Sequence, residues 1–256
     1  VTLRYSLDGI TWTPIVSGVT TPSANIIYFI GRAAGTKSLY TTGSSSNAWT
    51  FTGATNLECN GKLDRLLQDD LGGDNDILTI GANCFNYMFY NATTLIKAPI
   101  LPAMTLADNC YQNMFYKCTK LTTAPELPAT TLANNCYQQM FAVCSNLTTA
   151  PELPATTLAN YCYQNMFYNC TKLTTAPELP ATTLANNCYY RMFYGCSGLK
   201  LSTTMTGIYD TAYRIPTTGT GTLAASALFD MFILTGGTFK STPEINTTYY
   251  TENTPV

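Results

Sequence analysis

The sequence contains no histidine. That absence removes the commonest general base and the commonest transition-metal ligand from any catalytic scheme, and it weighs against an enzyme. Charge is scarce too: Asp, Glu, Lys and Arg make up 11% of the chain and the formal net charge is -2. There is no basic field to draw nucleic acid and no acidic tail, so nucleic acid is not an expected partner. Long apolar runs are also missing. The longest, around ANIIYFIGRAAG, is broken by Gly31 and Arg32 and falls far below the roughly 20 residues of a membrane helix, so no transmembrane segment is expected. Neither a signal peptide nor an initiator methionine is present, and the start at Val1 reads as a mature or excised chain, so export has to be argued from other features. The 256 residues allow one large or two ordinary domains with a sizeable core.

The chain has repetition in place of these features. LTTAPELPATTLANNCYQQMFAVC at 121–144 returns almost unchanged at 147–170 and 173–196, a fixed period of 26 residues. Such a period marks units that each bury an apolar face against the next. Five columns define the register: Cys84, Cys110, Cys136, Cys162 and Cys188; Met88, Met114, Met140, Met166 and Met192, each followed by Phe; Leu95, Leu121, Leu147, Leu173 and Leu199; and Leu-Pro pairs beginning at Leu101, Leu127, Leu153 and Leu179. Placed on a helix, CYQNMFYKC at 110–118 puts Cys110, Tyr111, Met114, Phe115 and Cys118 on one arc of about 140° and its polar residues on the other. LTTAPELP carries two prolines and reads as a short extended stretch, with strand pairing confined to LTTA. Asn134-Asn135 and their equivalents read as the lead-in to the helix. The expected fold is therefore of the α/β repeat class, a right-handed leucine-rich-repeat solenoid with strands on one side and helices on the other.

The run M-F-x-x-C-x-x-L-x-x-A-P-x-L-P, with a second C-Y four residues before M-F, resembles the BspA-like leucine-rich-repeat surface proteins of gut and oral bacteria. The resemblance covers about residues 84 to 200 in five tandem copies. It implies an exported, cell-surface or extracellular protein used in adhesion or binding. Pro125, Pro151 and Pro177 depart from the usual strand of that family.

Three regions follow from this reading: a β-rich amino-terminal cap or domain over 1–80, five repeats over 81–200, and a degenerate closing repeat with a polar tail over 201–256. In the first, Leu63, Leu66, Leu67 and Leu71 suggest a helical turn or two. SLDGITW at 6–12 resembles the Asp-box hairpin of sialidases, but Gly9 follows Asp8 directly and only one copy exists; it reads as a plain hairpin with Trp12 packed beneath. In the third, Met231-Phe232 stands where the Met-Phe pair belongs.

The ten cysteines invite a disulfide framework. Two cysteines of one unit lie too far apart on a helix to bond, and Ala92 stands where the other units carry Cys118, Cys144, Cys170 and Cys196. A small apolar residue suffices there, so the thiols read as buried space fillers. Zinc is disfavoured because no CxxC or His accompanies the columns. Glu126, Glu152 and Glu178 share one register, either as a solvated edge eased by Lys120 and Lys172 or as a calcium-bridged ladder. Tyr90, Tyr116, Tyr168 and Tyr194 fall on the outward arc, with Ala142 breaking the series. They are either a recognition stripe for sugar or protein, or rings packed laterally between successive units. No catalytic residue, cofactor or resident metal is expected. The expected function is non-enzymatic binding of a host or neighbouring-cell protein or glycan through a rigid repeat surface, these tyrosines and glutamates forming the candidate face; the alternative is a structural spacer, virion or appendage component.

Overall fold

The computed structural model describes residues 2–8, 10, 11, 13, 14, 27–32, 45, 48–51, 54–67, 79–215 and 224–252. Leu71, Trp12 and residues 216–223 lie outside them. Nine strands are present among the described residues: β1 (Thr2–Ser6), β2 (Thr13–Pro14), β3 (Tyr28–Arg32), β4 (Leu57–Glu58), β5 (Leu95–Lys97), β6 (Lys200–Ser202), β7 (Tyr209–Ile215), β8 (Gly236–Gly237) and β9 (Thr247–Glu252). They form three small sheets, ordered β2-β1-β3, β4-β5 and β7-β9-β6-β8. The described residues contain no α-helix; a 3-10 turn runs over Leu63–Leu67.

This overturns the α/β leucine-rich-repeat solenoid expected from the sequence; the fold is mostly β. The reason is visible in where the backbone N–H groups of the supposed helix go. An α-helix sends each one to the carbonyl four residues earlier. Here alternate residues send theirs to the next unit: Tyr111 to Cys136, Asn113 to Gln138, Phe115 to Met140 and Lys117 to Ala142, at 2.9–3.0 Å. The residues between close tight turns on the carbonyl three back, as Gln112 does on Asn109 and Met114 on Tyr111. Every fourth residue has positive φ, with Asn109 at 58°, Asn113 at 55° and Lys117 at 60°, which no right-handed helix accommodates. Asn tolerates that region better than most residues, and it recurs there at Asn135, Asn165, Asn169 and Asn187.

The apolar residues read onto the helical arc do face inward, but Asn113, which that arc put on the polar side, is buried with them. The Cys, Met, Phe and Leu columns are buried throughout, and so are Tyr111, Tyr137, Tyr163 and Tyr189. Because each unit repeats the same backbone, like side chains stack on like. Phe89, Phe115, Phe141, Phe167 and Phe193 follow one another at centroid spacings of 5.5–5.8 Å with planes within 11°. The four buried tyrosines do the same at 5.8–5.9 Å. Such ring pairs contribute roughly 0.5–1.5 kcal/mol each beyond their buried area.

Between the units the extended stretches meet at single residues rather than along strands. Parallel bridges join Thr123 to Thr149 and Thr149 to Thr175, and a second file joins Thr105, Thr131, Thr157 and Thr183. Pro125, Pro151 and Pro177, two residues beyond the first file, remove the donors that would extend it. Asn134, expected to lead a helix, instead accepts the backbone N–H of Asn160 in the next unit at 3.2 Å, and Asn160 accepts that of Asn186 at 3.1 Å.

Both ends depart from the period. After the last full unit, the N–H groups of Tyr189, Arg191 and Phe193 reach the carbonyls of Ala227, Phe229 and Met231. Residues 225–233 thus supply a closing layer, and Phe232 continues the phenylalanine column 5.9 Å from Phe193. The sheet β7-β9-β6-β8 lies beside it. β8 is two glycines for a steric reason: a Cβ on Gly236 would stand 2.7 Å from the Ser197 carbonyl oxygen, and one on Gly237 would stand 2.3 Å from that of Leu201. At the other end Phe51 stacks on Phe89 at 5.8 Å and Trp49 donates its backbone N–H to Met88 at 2.9 Å. The sheet β2-β1-β3 lies further out, with Phe29 packed 5.1 Å from Trp49.

Candidate recognition surface

The expected tyrosine stripe forms two ladders. Tyr90 and Tyr116 stack at 4.9 Å and Tyr168 and Tyr194 at 5.0 Å, with planes 7° apart in each pair. All four rings are half-buried, so lateral packing and presentation to solvent hold together. Ala142, fully buried, separates the pairs. Each ring is carried by a residue whose N–H closes a turn, as Tyr116 does on Asn113 and Tyr168 on Asn165, while the next residue bonds to the following unit. The rings are therefore held in place by the backbone of two units. Beside the first pair, burial raises the pKa of Tyr87, with its neighbour Tyr90 adding to the effect and a hydrogen bond with Asn113 opposing it.

Cationic groups lie over this face. Lys117 Nζ sits 5.8 Å above the Tyr116 ring. The Arg191 guanidinium lies 5.1 Å from the Tyr190 ring and 5.5 Å from that of Tyr194, within cation–π range. Asp230 fixes it by accepting from both Nε and Nη2, at 3.0 and 2.9 Å. Arg191 and Asp230 escaped the sequence reading because 39 residues separate them, outside the 26-residue period.

Glu126, Glu152 and Glu178 are all exposed. Among the described residues no group of three or more His, Cys, Asp or Glu side chains is close enough to hold a metal ion. Lys120, expected to relieve their repulsion, turns instead to the amino-terminal segment, donating to the Thr55 carbonyl at 2.8 Å and to Asn56 Oδ1 at 3.2 Å.

The cysteines are free thiols, nine of them buried and Cys59 half-buried. In the cysteine file that Ala92 begins, each Sγ donates to a carbonyl of the preceding unit: Cys118 to Phe89, Cys144 to Phe115, Cys170 to Phe141 and Cys196 to Phe167, at 3.0–3.2 Å. Burial pushes the Cys144 and Cys196 thiols up to about 12, so at neutral pH they keep their protons and are poor nucleophiles.

At the hairpin, Asp8 accepts the N–H groups of Ile10 and Thr11 at 2.8 and 2.7 Å and the Ser6 hydroxyl at 2.8 Å. These bonds, the Thr11 N–H first, hold its carboxyl far below the usual range. The carboxylate is spent on turn geometry between β1 and β2, as a plain hairpin requires.

A cleft of about 150 Å³ opens beside Tyr90, lined by Trp49, Phe51, Asn91, Ala92, Thr93 and Thr94 among others. The sequence reading missed it because segment 48–51 lies outside the repeat. The one available signal was Ala92, where the other units carry cysteine.

No protein-family model, curated protein or solved structure matches this chain. Among the described residues no helix is long and apolar enough to cross a membrane.

Proposed function

We propose that this chain is a non-enzymatic binding protein that acts outside the cell or at its surface and engages a host or neighbouring-cell protein or glycan through its outward tyrosine face. One observation carries the reading: two pairs of parallel, half-exposed tyrosine rings are held at fixed spacing by a backbone bonded unit to unit. A preordered aromatic face loses little entropy on binding, and tyrosine offers a flat apolar surface with a polar tip. The BspA-like motif run supports an exported adhesin, although the helical leucine-rich-repeat architecture of that family does not accompany it here.

A second reading, a structural spacer or appendage component, is favoured by the near identity of the units, since specific faces normally vary their outward side chains. A broad array of glycans and extracellular-matrix proteins separates the two. Binding by the parent chain that disappears in a folded Tyr116→Ala/Tyr168→Ala variant is the expected result. No binding by the parent favours the spacer. Binding untouched by the variant moves recognition to the exposed glutamate edge.

A further inference from the structure

We infer that the cleft between segment 48–51 and the first repeat unit is a binding site for a single neutral sugar ring. The proposal rests on the reading of the aromatic face as a recognition surface, which begins at Tyr90, and gives it a ligand class and a defined end point.

The origin of the cleft is a departure from the repeat. In the four following units the cysteine of the file that Ala92 begins points its Sγ at a carbonyl of the preceding unit, 3.0–3.2 Å away. The same direction at Ala92 leads toward the segment that carries Trp49 and Phe51. The first unit lacks the sulfur, and the cleft lies there, with Ala92 in its lining.

The walls suit a sugar. Trp49 is half-buried and fixed by Phe29 at 5.1 Å, Phe51 at 6.5 Å and its own backbone bond to Met88. Tyr90 is held against Tyr116. The lining mixes these aromatic residues with polar groups, a wall that a pyranose meets with its C–H edges and its hydroxyls together. Asn91 and Thr93 are exposed at the rim, and their backbones are set by the Asn91 N–H on the Tyr116 carbonyl at 2.7 Å and the Thr93 N–H on the Asn91 carbonyl at 2.8 Å. An amide and hydroxyls supply both donors and acceptors, the pairing that sugar hydroxyls need. Pockets for drug-sized ligands run to roughly 300–1,000 Å³, so a cleft of about 150 Å³ takes one ring and not a folded peptide. None of the lining side chains is charged, which selects neutral over acidic sugars. Affinity for one ring is expected on the order of millimolar.

The chain has two tryptophans, so in a Trp12→Phe background the fluorescence reports Trp49 alone. The experiment titrates that chain with glucose, galactose, mannose, N-acetylglucosamine and, as a charged control, glucuronic acid. The proposal expects a saturable spectral change with at least one neutral sugar and none with glucuronic acid. Ala92→Cys restores the residue that four other units already accommodate, and it is expected to weaken binding by at least about tenfold while leaving thermal stability intact. Asn91→Gly keeps the positive φ of 60° while removing the amide, and is expected to weaken binding about tenfold. No response to any neutral sugar overturns the proposal, and so does a response equal in the parent and both variants. Array binding that depends on Tyr116 and Tyr168, with Trp49 silent to sugars, removes the cleft site and leaves the proposed function standing.

Discussion

Val143 has a φ of 63° in a column where the other units place Asn91, Lys117, Asn169 and Gly195. A β-branched side chain in the left-handed region is strained, and here the strain is tolerated because the Val143 N–H bonds the Tyr168 carbonyl at 2.7 Å. Val143→Asn, which copies the residue one unit on, is expected to raise stability by about 1 kcal/mol. It should appear in urea denaturation as a higher midpoint at unchanged slope; a lower midpoint contradicts the left-handed backbone at this residue. The Tyr163 hydroxyl makes the opposite case for a side chain. It is buried with no hydrogen-bond partner among the described residues, a position that costs rather than contributes. Tyr163→Phe keeps the stack on Tyr137 and Tyr189 and is expected to be neutral or to stabilise by up to about 1 kcal/mol. A clear loss of melting temperature would reveal a partner for the hydroxyl.

For the elements, the decisive fact is that a turn ribbon and an α-helix can share one pattern. The inward residues of 110–118 stand at the first, second, fifth, sixth and ninth positions. On a helix they span an arc of about 140°, and on a ribbon that turns every four residues they recur exactly in phase. Hydrophobic pattern therefore identified the core, including Cys110, Met114 and Phe115, without deciding the backbone. The discriminating signal was the file of positive-φ positions, which Asn109, Asn113, Asn135, Asn165, Asn169 and Asn187 occupy; asparagine so frequent at four-residue steps argues against a helix interior. The tyrosine file was legible because it too repeats every 26 residues. The cleft was not, since Trp49 and Phe51 come to it from outside the period. The asparagine column that was read as a set of helix caps joins units together, and Asn160→Ala removes the acceptor for the Asn186 N–H. The expected cost is about 1 kcal/mol, measured by thermal melting, with Asn160→Asp retaining most of the stability. Equal behaviour of the two variants would show that the column does not bind the units.

At the scale of the whole molecule, stacking identical units places a file of thiols where water cannot reach. The Cys136, Cys144 and Cys196 thiols are pushed by burial from an ordinary value of 9.0 up to about 12. An unfolded thiol therefore ionises near pH 9, while the folded one keeps its proton. The stability these groups confer is complete below pH 9 and is lost as pH rises toward 12, at up to about 1.4 kcal/mol per thiol per pH unit. Near-ultraviolet dichroism from the stacked rings should hold steady to pH 9 and collapse before pH 12, and in the native chain at neutral pH a thiol reagent should reach Cys59 far faster than the nine buried cysteines. The same stacking holds the tyrosine face, so its geometry stands or falls with the bonds between units. Those bonds are open to direct measurement through hydrogen-bond scalar couplings in solution. Couplings are expected from the amide nitrogens of Tyr137, Gln139 and Phe141 to the carbonyl carbons of Cys162, Gln164 and Met166 in the next unit. Couplings instead to Ala133, Asn135 and Tyr137, four residues back on the same segment, would restore the helix and contradict the bonds between units.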